Sequence, residues 1–431
     1  MMPTPRITFS KLTQKQAVAA AARHEMLYAG RVGGARAVFA FCDLSGLDLA
    51  GRNLADADFT GAILEETNLA DARLESASFF GADLRRANLA AASLRRADMR
   101  GACLRGANLI GADLYEADLR EGTIAEKDRY GNLRVMQHDV GPSEATSALM
   151  NSANLERAKM TGAIAVQADF TDAIMRGCRL ARANLRQANF TGANLENADL
   201  TGCNLTGADM TGAILIGART TCAILDGVDL STALTDQPAG RELAALPMPI
   251  ADMLECHSRW VESEGRDGQP ADLSGMDLRE LKSLAHRSLT AIIAPGAILY
   301  GLDLQGASLQ GSNLQGADLR GAKLAGADLR GANLSGARLN NADLHDAKLG
   351  PLLISDARLL PTRLDGALAR YADMRGADLR RVCLTETDLA YANLSDADLR
   401  DTDLGCAILT GTKLPMTVMD TVPPLAMTNT A

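Results

Sequence analysis

The fold class predicted here is an all-β solenoid, a four-sided parallel β-helix of five-residue repeats, and three observations predict it. Aliphatic residues recur at every fifth position through three long runs. A small residue, usually Ala, stands two places before most of these centres, and Asp or Asn stands one place before. Aromatic residues make up only 3% of the 431 residues, which points to a narrow core of small and medium side chains rather than one built on large rings.

The first run extends from Phe39 to Ile124, where all eighteen centres are Leu, Phe, Met or Ile and residues such as Ala57, Ala62 and Ala72 precede them. The formula A-(D/N)-L-X-X returns in a new register from Met150 to Leu230, and again from Leu299 to Leu414, where 21 of 24 centres are Leu. A period of five fits neither the 3.6 of a helix nor the 2.0 of a strand, so neither element keeps these leucines on one face. If each pentapeptide makes one side of a square coil, the Ala and Leu of every repeat point inward and twenty residues close a turn. At roughly 4.8 Å between stacked strands, the centres predict about fifteen coils in a rod roughly 70 Å long. A coil contacts only its neighbours, so several must stack and the ends need covers.

These runs resemble the pentapeptide-repeat family over roughly three quarters of the chain. The resemblance implies a right-handed quadrilateral β-helix and a non-catalytic surface. It also makes a homodimer through the C-terminal coil a candidate, since end-to-end dimers are known in similar family members.

Taken in order, residues 1–36 read as a helical cap, with a helix opening at Thr13, whose T-x-x-Q pattern with Gln16 suggests a capping box, and running to about Tyr28. Residues 37–124 are the first solenoid run. Residues 125–147 interrupt it, because Ile124 and Met150 are not a multiple of five apart, and Gly131-Asn132 suggests a loop or hairpin. Residues 148–235 form the second run. Residues 236–270 form a proline-bracketed linker in which Ile250, Met253, Leu254, His257 and Val261 recur at helical spacing. Residues 271–414 form the third run, irregular before Ala297, and 415–431 a polar tail. His24 and His257 each precede a DLSG motif, at Asp43 and Asp272, so the chain looks duplicated, each helix covering an open β edge.

Chemistry is sparse. Five scattered histidines form no HExxH or H-x-E element, and the Gly-rich junctions form no phosphate loop. No catalytic residue, metal or cofactor is expected. The eight cysteines show no CxxC pair and read as free thiols in a reducing compartment; with no signal-peptide core and no bilayer-length apolar stretch, the expectation is cytoplasmic. The Asp residues before each centre are structural: Asp48, Asn68, Asn88 and Asn108 fall in one predicted column, and Asp303, Lys323, Asp343 and Arg363 in another of alternating sign.

A net charge of -9 disfavours nucleic acid and anionic membrane as partners. Two candidate protein-binding patches stand out. Arg95, Arg96, Arg100 and Arg120 fall on neighbouring faces and suit an acidic partner; Leu353 and Leu360, where Pro351 and Pro361 interrupt the pattern, are expected to point outward. The reading is a non-catalytic interaction or scaffold module with an unidentified protein partner. The alternative is a DNA-mimicking regulator of DNA gyrase or topoisomerase, which the near-balance of charges in the third run disfavours.

Overall fold

The computed structural model describes residues 9–122, 125–127, 133–135, 144–355 and 358–416. The chain divides into two compact units, residues 1–237 and 238–431.

The first unit opens with a short strand, β1 (Ser10–Lys11), and a helix, α1 (Gln14–Tyr28). Thr13 and Gln16 cap α1 reciprocally, each side chain accepting from the other residue's backbone N–H. Ala17, Ala21 and His24 are its buried face. β1 pairs in parallel with β2 (Cys42–Asp43) in the first coil. The open edge of that coil is then closed group by group. The Gln14 side chain acts as a peptide unit, its Nε2 donating to the Asp48 carbonyl at 2.6 Å and its Oε1 accepting from the Asp48 N–H at 2.8 Å. His24 accepts from the Ala37 N–H through Nδ1 at 3.0 Å, and its Nε2–H donates to the Ala55 carbonyl at 2.8 Å. An edge satisfied in this way offers no template to another strand.

The repeat formula follows from an account of its backbone donors. Around Phe59, the Asp58 N–H donates to Ala37 in the preceding coil. The Phe59 and Gly61 N–H groups donate to Ser78 and Phe80 in the following coil, and the Ala62 N–H turns the corner to Phe59. Only the Thr60 N–H is left, and Asp58 Oδ1 accepts it at 3.0 Å. Asp or Asn precedes the centre because it supplies that acceptor. Gly61 sits at a φ of 61°, in the left-handed region that the corner requires.

Centres and the small residues before them fill the interior, Leu64, Leu84 and Ala87 being 0% exposed. Phe39, Phe59 and Phe79 stack at centroid separations of 5.1 and 4.8 Å, a direct measure of the coil spacing. At two positions where a polar residue replaces the small one, its hydrogen bond is built in: Thr67 Oγ1 donates to the Leu44 carbonyl at 2.9 Å, and Cys203 Sγ to that of Leu180.

One coil of this unit carries an insertion. β3 (Ala125–Lys127) and β4 (Leu133–Val135) form an antiparallel hairpin; Ile124 and the Gly131-Asn132 turn lie outside the described residues. Coiling resumes at Glu144, which bridges Cys103, earlier than the expected start at 148. The buried centre there is Ala145, whose single methyl does not stand out in a pattern of leucines.

The second unit starts in the same way. Arg241 bridges Met276 in parallel, and α2 (Ile250–Glu262) buries Met253, Leu254 and His257. His257 Nδ1 accepts from the Ala271 N–H at 3.1 Å, as His24 does from Ala37. Matching the caps through these bonds sets Ala37 against Ala271, and therefore Asp43 against Asp277. The DLSG motifs at Asp43 and Asp272 are one repeat out of step with that equivalence. The first coil holds one extra residue, since Asp272 bridges Ile293 and Asp277 bridges Ile298. A 3-10 turn at Arg279–Leu281 and a φ of 54° at Lys282 absorb it, which accounts for the irregular register before Ala297.

A second hairpin, β5 (Leu352–Ser355) and β6 (Arg358–Leu360), leaves the wall of this unit. Coil partners across it are 30 residues apart, as for Asn340 and Arg370, instead of 20. Two expectations are corrected here. Ile354 and Leu359, which the spacing set among the buried centres, are 52% and 43% exposed. The alternating column runs Asp303, Lys323, Asp343, Asp373, while Arg363 bridges Asn333 and Cys383.

Candidate functional site

Of the expected ladder Asp48, Asn68, Asn88 and Asn108, the first three are linked, each Asn Nδ2 donating at 3.0 Å to the residue twenty before it, while Asn108 stands in the column by its backbone bridge and turns Oδ1 to the Ile110 N–H. The Asp residues before the centres are thereby engaged in the wall, and many are engaged twice. In the sequence Asp-Leu-Arg the guanidinium folds back over the centre onto the carboxylate: Arg85 onto Asp83, Arg120 onto Asp118, Arg380 onto Asp378 and Arg400 onto Asp398, with Nη2–Oδ2 distances of 2.6 to 2.8 Å. The side-chain hydrogen bond from Arg400 pulls Asp398 down to about 2. Reading residues only in columns of twenty missed this i, i+2 fork, although the recurring triplet is its signal.

The four arginines singled out in the sequence gather around one face of the first unit. Arg95 Nη1 bonds Asp113 at 2.8 Å and its guanidinium lies 4.5 Å from the Tyr115 ring centroid. Arg100 is held by Asp98 and lies over Phe80, and Arg120 is held by Asp118. Arg96 has no ion-pair partner among the described residues. The column they flank continues Asp58, Ser78, Asp98, Asp118, Lys159, Arg179. Lys159 and Arg179 were missed because the β3–β4 insertion intervenes, and a twenty-residue count from Asp118 lands inside it. Arg96, Arg100, Arg157, Lys159 and Arg179 line one shallow groove together with Asp98, Glu116 and Asp118.

The two leucines singled out are separated by the β5–β6 hairpin. Leu353 is 62% exposed, with Ile354 and Leu359 beside it. Leu360 does not point outward. Paired with Leu352, it packs down on the wall at Gly331, where an added Cβ would lie 2.8 Å from Leu352 Cβ and 3.1 Å from Leu360 Cδ2. Below the hairpin, Pro351 and Leu359 border a groove with Arg330, Lys348, Asp378, Arg380 and Arg400.

The cysteines are free thiols, and burial pushes those of Cys178 and Cys203 up. Among the described residues no cluster of three or more His, Cys, Asp or Glu is placed to hold a metal ion, and no helix is long and apolar enough to cross a membrane.

The pentapeptide-repeats family matches residues 42–81, 82–120, 145–177, 178–217, 193–231, 295–324, 312–350, 355–385 and 384–414, well over half of the chain. The chain belongs to the pentapeptide-repeat family. Among solved structures it is similar to the pentapeptide-repeat protein Rfr23 from the cyanobacterium Cyanothece 51142, at 29% identity over 32% of this chain and 88% of that one, with a TM-score of 0.22. HetL, a pentapeptide-repeat protein involved in heterocyst differentiation regulation in the cyanobacterium Nostoc sp. strain PCC 7120, is 22% identical over 90% of this chain and 94% of its own, with a TM-score of 0.15. QnrB1, a plasmid-mediated fluoroquinolone resistance protein, is 16% identical over 59% of this chain and 87% of its own, with a TM-score of 0.19. No curated protein matches the chain. Within this pentapeptide-repeat chain, the groove beside Lys159 and the groove beneath β5–β6 are two places where an insertion alters the exterior of the described wall.

Proposed function

We propose that this chain is a non-catalytic protein-interaction module, a rigid β-helical wall that presents binding surfaces to a protein partner. The observation that carries the reading is the β5–β6 hairpin. It lifts Leu353, Ile354 and Leu359 into solvent on a unit whose other described aliphatic centres from Leu299 to Leu414 are buried, and grouped exposed apolar side chains mark contact surfaces. The groove below it adds cations to that apolar edge. The free cysteines favour a reducing compartment such as the cytoplasm.

Mimicry of DNA toward gyrase or a topoisomerase is the weaker reading. A DNA mimic needs carboxylates that act as uncompensated charges, and here Asp83, Asp98, Asp118, Asp378 and Asp398 are each forked by an arginine of the same repeat.

Affinity capture from the native host tests the proposal, with wild type compared against Leu353→Asp/Leu359→Asp. The module reading expects at least one partner retained by wild type and lost by the variant, with no effect on gyrase supercoiling at about micromolar protein. An identical set of captured proteins for both would remove the hairpin from the argument, and gyrase inhibition or protection would promote the mimic.

A further inference from the structure

Three cations on one face of the first unit stand apart from the paired arginines around them. Lys159 and Arg179 are bridged neighbours in a column, and Arg96 lies at the corner of the same face three coils before Arg179. None of the three has an ion-pair partner among the described residues, whereas Arg100 and Arg120 beside them are closed by Asp98 and Asp118. With about 4.8 Å between coils, Lys159 stands about 10 Å and Arg179 about 14 Å from Arg96 along the stack. They border one groove.

We propose that this groove binds an extended acidic peptide segment of a partner protein, laid along the stack with a carboxylate at alternate residues. The inference rests on the reading of the chain as a protein-interaction module and names the partner chemistry of a second surface. Side chains on one face of an extended peptide recur about every 7 Å, so successive carboxylates span the distance from Arg96 to Arg179. The residues between them decide against nucleic acid. Asp98, Glu116 and Asp118 stand inside the groove, and their charges are offset by Arg100, Arg157 and Arg120 respectively, which leaves Arg96, Lys159 and Arg179 as its unforked cations. A polyanion with a charge about every 1.7 Å of duplex axis meets only three such cations along about 14 Å of the groove, while a peptide with spaced carboxylates sets neutral residues against the forked pairs. The nearby rings are already engaged, Tyr115 by the Arg95 guanidinium and Phe80 by that of Arg100, which leaves fewer faces for base stacking.

The test is fluorescence anisotropy on the full chain, with a labelled peptide of alternating Glu and Ser as probe. A peptide with Lys in place of Glu and a short DNA duplex complete the set. The Glu peptide is expected to bind, more weakly as salt rises from about 50 to 300 mM, with the Lys peptide and the duplex binding more weakly or not at all. Lys159→Glu/Arg179→Glu is expected to weaken binding at least about tenfold, the loss of two charge-assisted contacts. Lys323→Glu/Arg287→Glu, the same change in net charge made in the second unit, is expected to leave it within about twofold. Matching circular-dichroism melts keep a folding defect from passing as a binding one. Failure of the Glu peptide to bind, equal losses in the two charge reversals, or tighter binding of the duplex would each overturn the inference. Such a failure together with a partner still captured through Leu353 would leave the module reading standing.

Discussion

The Arg320 guanidinium closes on the Asp318 carboxylate at 2.6 Å with the two side chains only 2% and 10% exposed, while the same fork between Arg400 and Asp398 stands 75% and 32% exposed. Geometry is shared and burial is not. An exposed pair contributes about 0–1 kcal/mol, but deleting one partner of a buried pair strands a charge and costs about 3–5 kcal/mol.

Arg320→Ala is therefore expected to lower the stability of the second unit by about 3–5 kcal/mol, and Arg400→Ala to leave it close to that of the wild type. Urea unfolding midpoints measure both. Equal shifts would show that burial of the Arg320 fork does not govern its energetics.

Phe59 lies between Phe39 and Phe79 in the interior stack and is 0% exposed. Phe59→Ala removes a ring that no neighbour can replace across the fixed coil spacing, at an expected cost of about 3–5 kcal/mol. Phe59→Leu restores the residue that most coils use and should cost under about 1.5 kcal/mol. Because each coil contacts only its neighbours, amide exchange should accelerate first in the coils around Phe39 and Phe79, and uniform acceleration through the unit would contradict a local effect.

The square coil was legible in the sequence because every centre, small residue and Asp or Asn serves the same geometry in every repeat. The two insertions show what a period can and cannot reveal. The first changes the register at Met150 and is therefore visible. The second is two repeats long, so Ile354 and Leu359 keep step with Leu349 and Leu364 while lying outside the wall. Arg95, Arg96, Arg100 and Arg120 were legible as neighbours because no insertion separates them. Lys159 and Arg179 were not, since their place above Asp118 depends on the length of chain spent on β3–β4.

Histidine protonation gives two pH dependences of opposite sign in the second unit. Burial lowers the pKa of His257 below its ordinary 6.5. The unfolded chain thus takes up the proton first, and the stabilisation, full above 6.5, is lost as pH falls through that value toward the folded one. The hydrogen bond to Asp343, with Asp346 and Asp373 close by, raises the pKa of His345, whose contribution is full below 6.5 and lost as pH rises through the folded value. In a His345→Asn background, lowering the pH from about 7.5 to about 5.5 should reduce the urea midpoint, a window chosen above the carboxylate range. His257→Gln, whose amide oxygen can still accept from the Ala271 N–H, should flatten that slope. A slope unchanged by His257→Gln would assign it to another group.

The β5–β6 hairpin should be removable without loss of the wall, because its length is a whole number of repeats. Deleting residues 351–360 joins Leu349 to Leu364 at the five-residue spacing and returns Asn333 and Arg363, now 30 residues apart in sequence, to the ordinary interval of twenty. One residue obstructs the join. Pro361 would fall two places past the centre, where the neighbouring repeats have positive φ, as at Gly366 and Gly376, and proline is locked near −65°. The deletion with Pro361→Gly is therefore expected to keep the far-ultraviolet circular dichroism and a cooperative melt, whereas the deletion retaining Pro361 should be destabilised by about 3 kcal/mol or more. Removing five residues from the wall itself, 325–329, is a control of a different kind. It rotates every later face by a quarter turn, so Asp343 no longer bridges Lys323 and the charges of that column lose their partners. If the hairpin deletion with Pro361→Gly unfolds the second unit as thoroughly as that control, then Leu352 and Leu360 are part of its structural core at Gly331 rather than the base of a removable arm, and the contact role of Leu353, Ile354 and Leu359 must be assigned by point substitution alone.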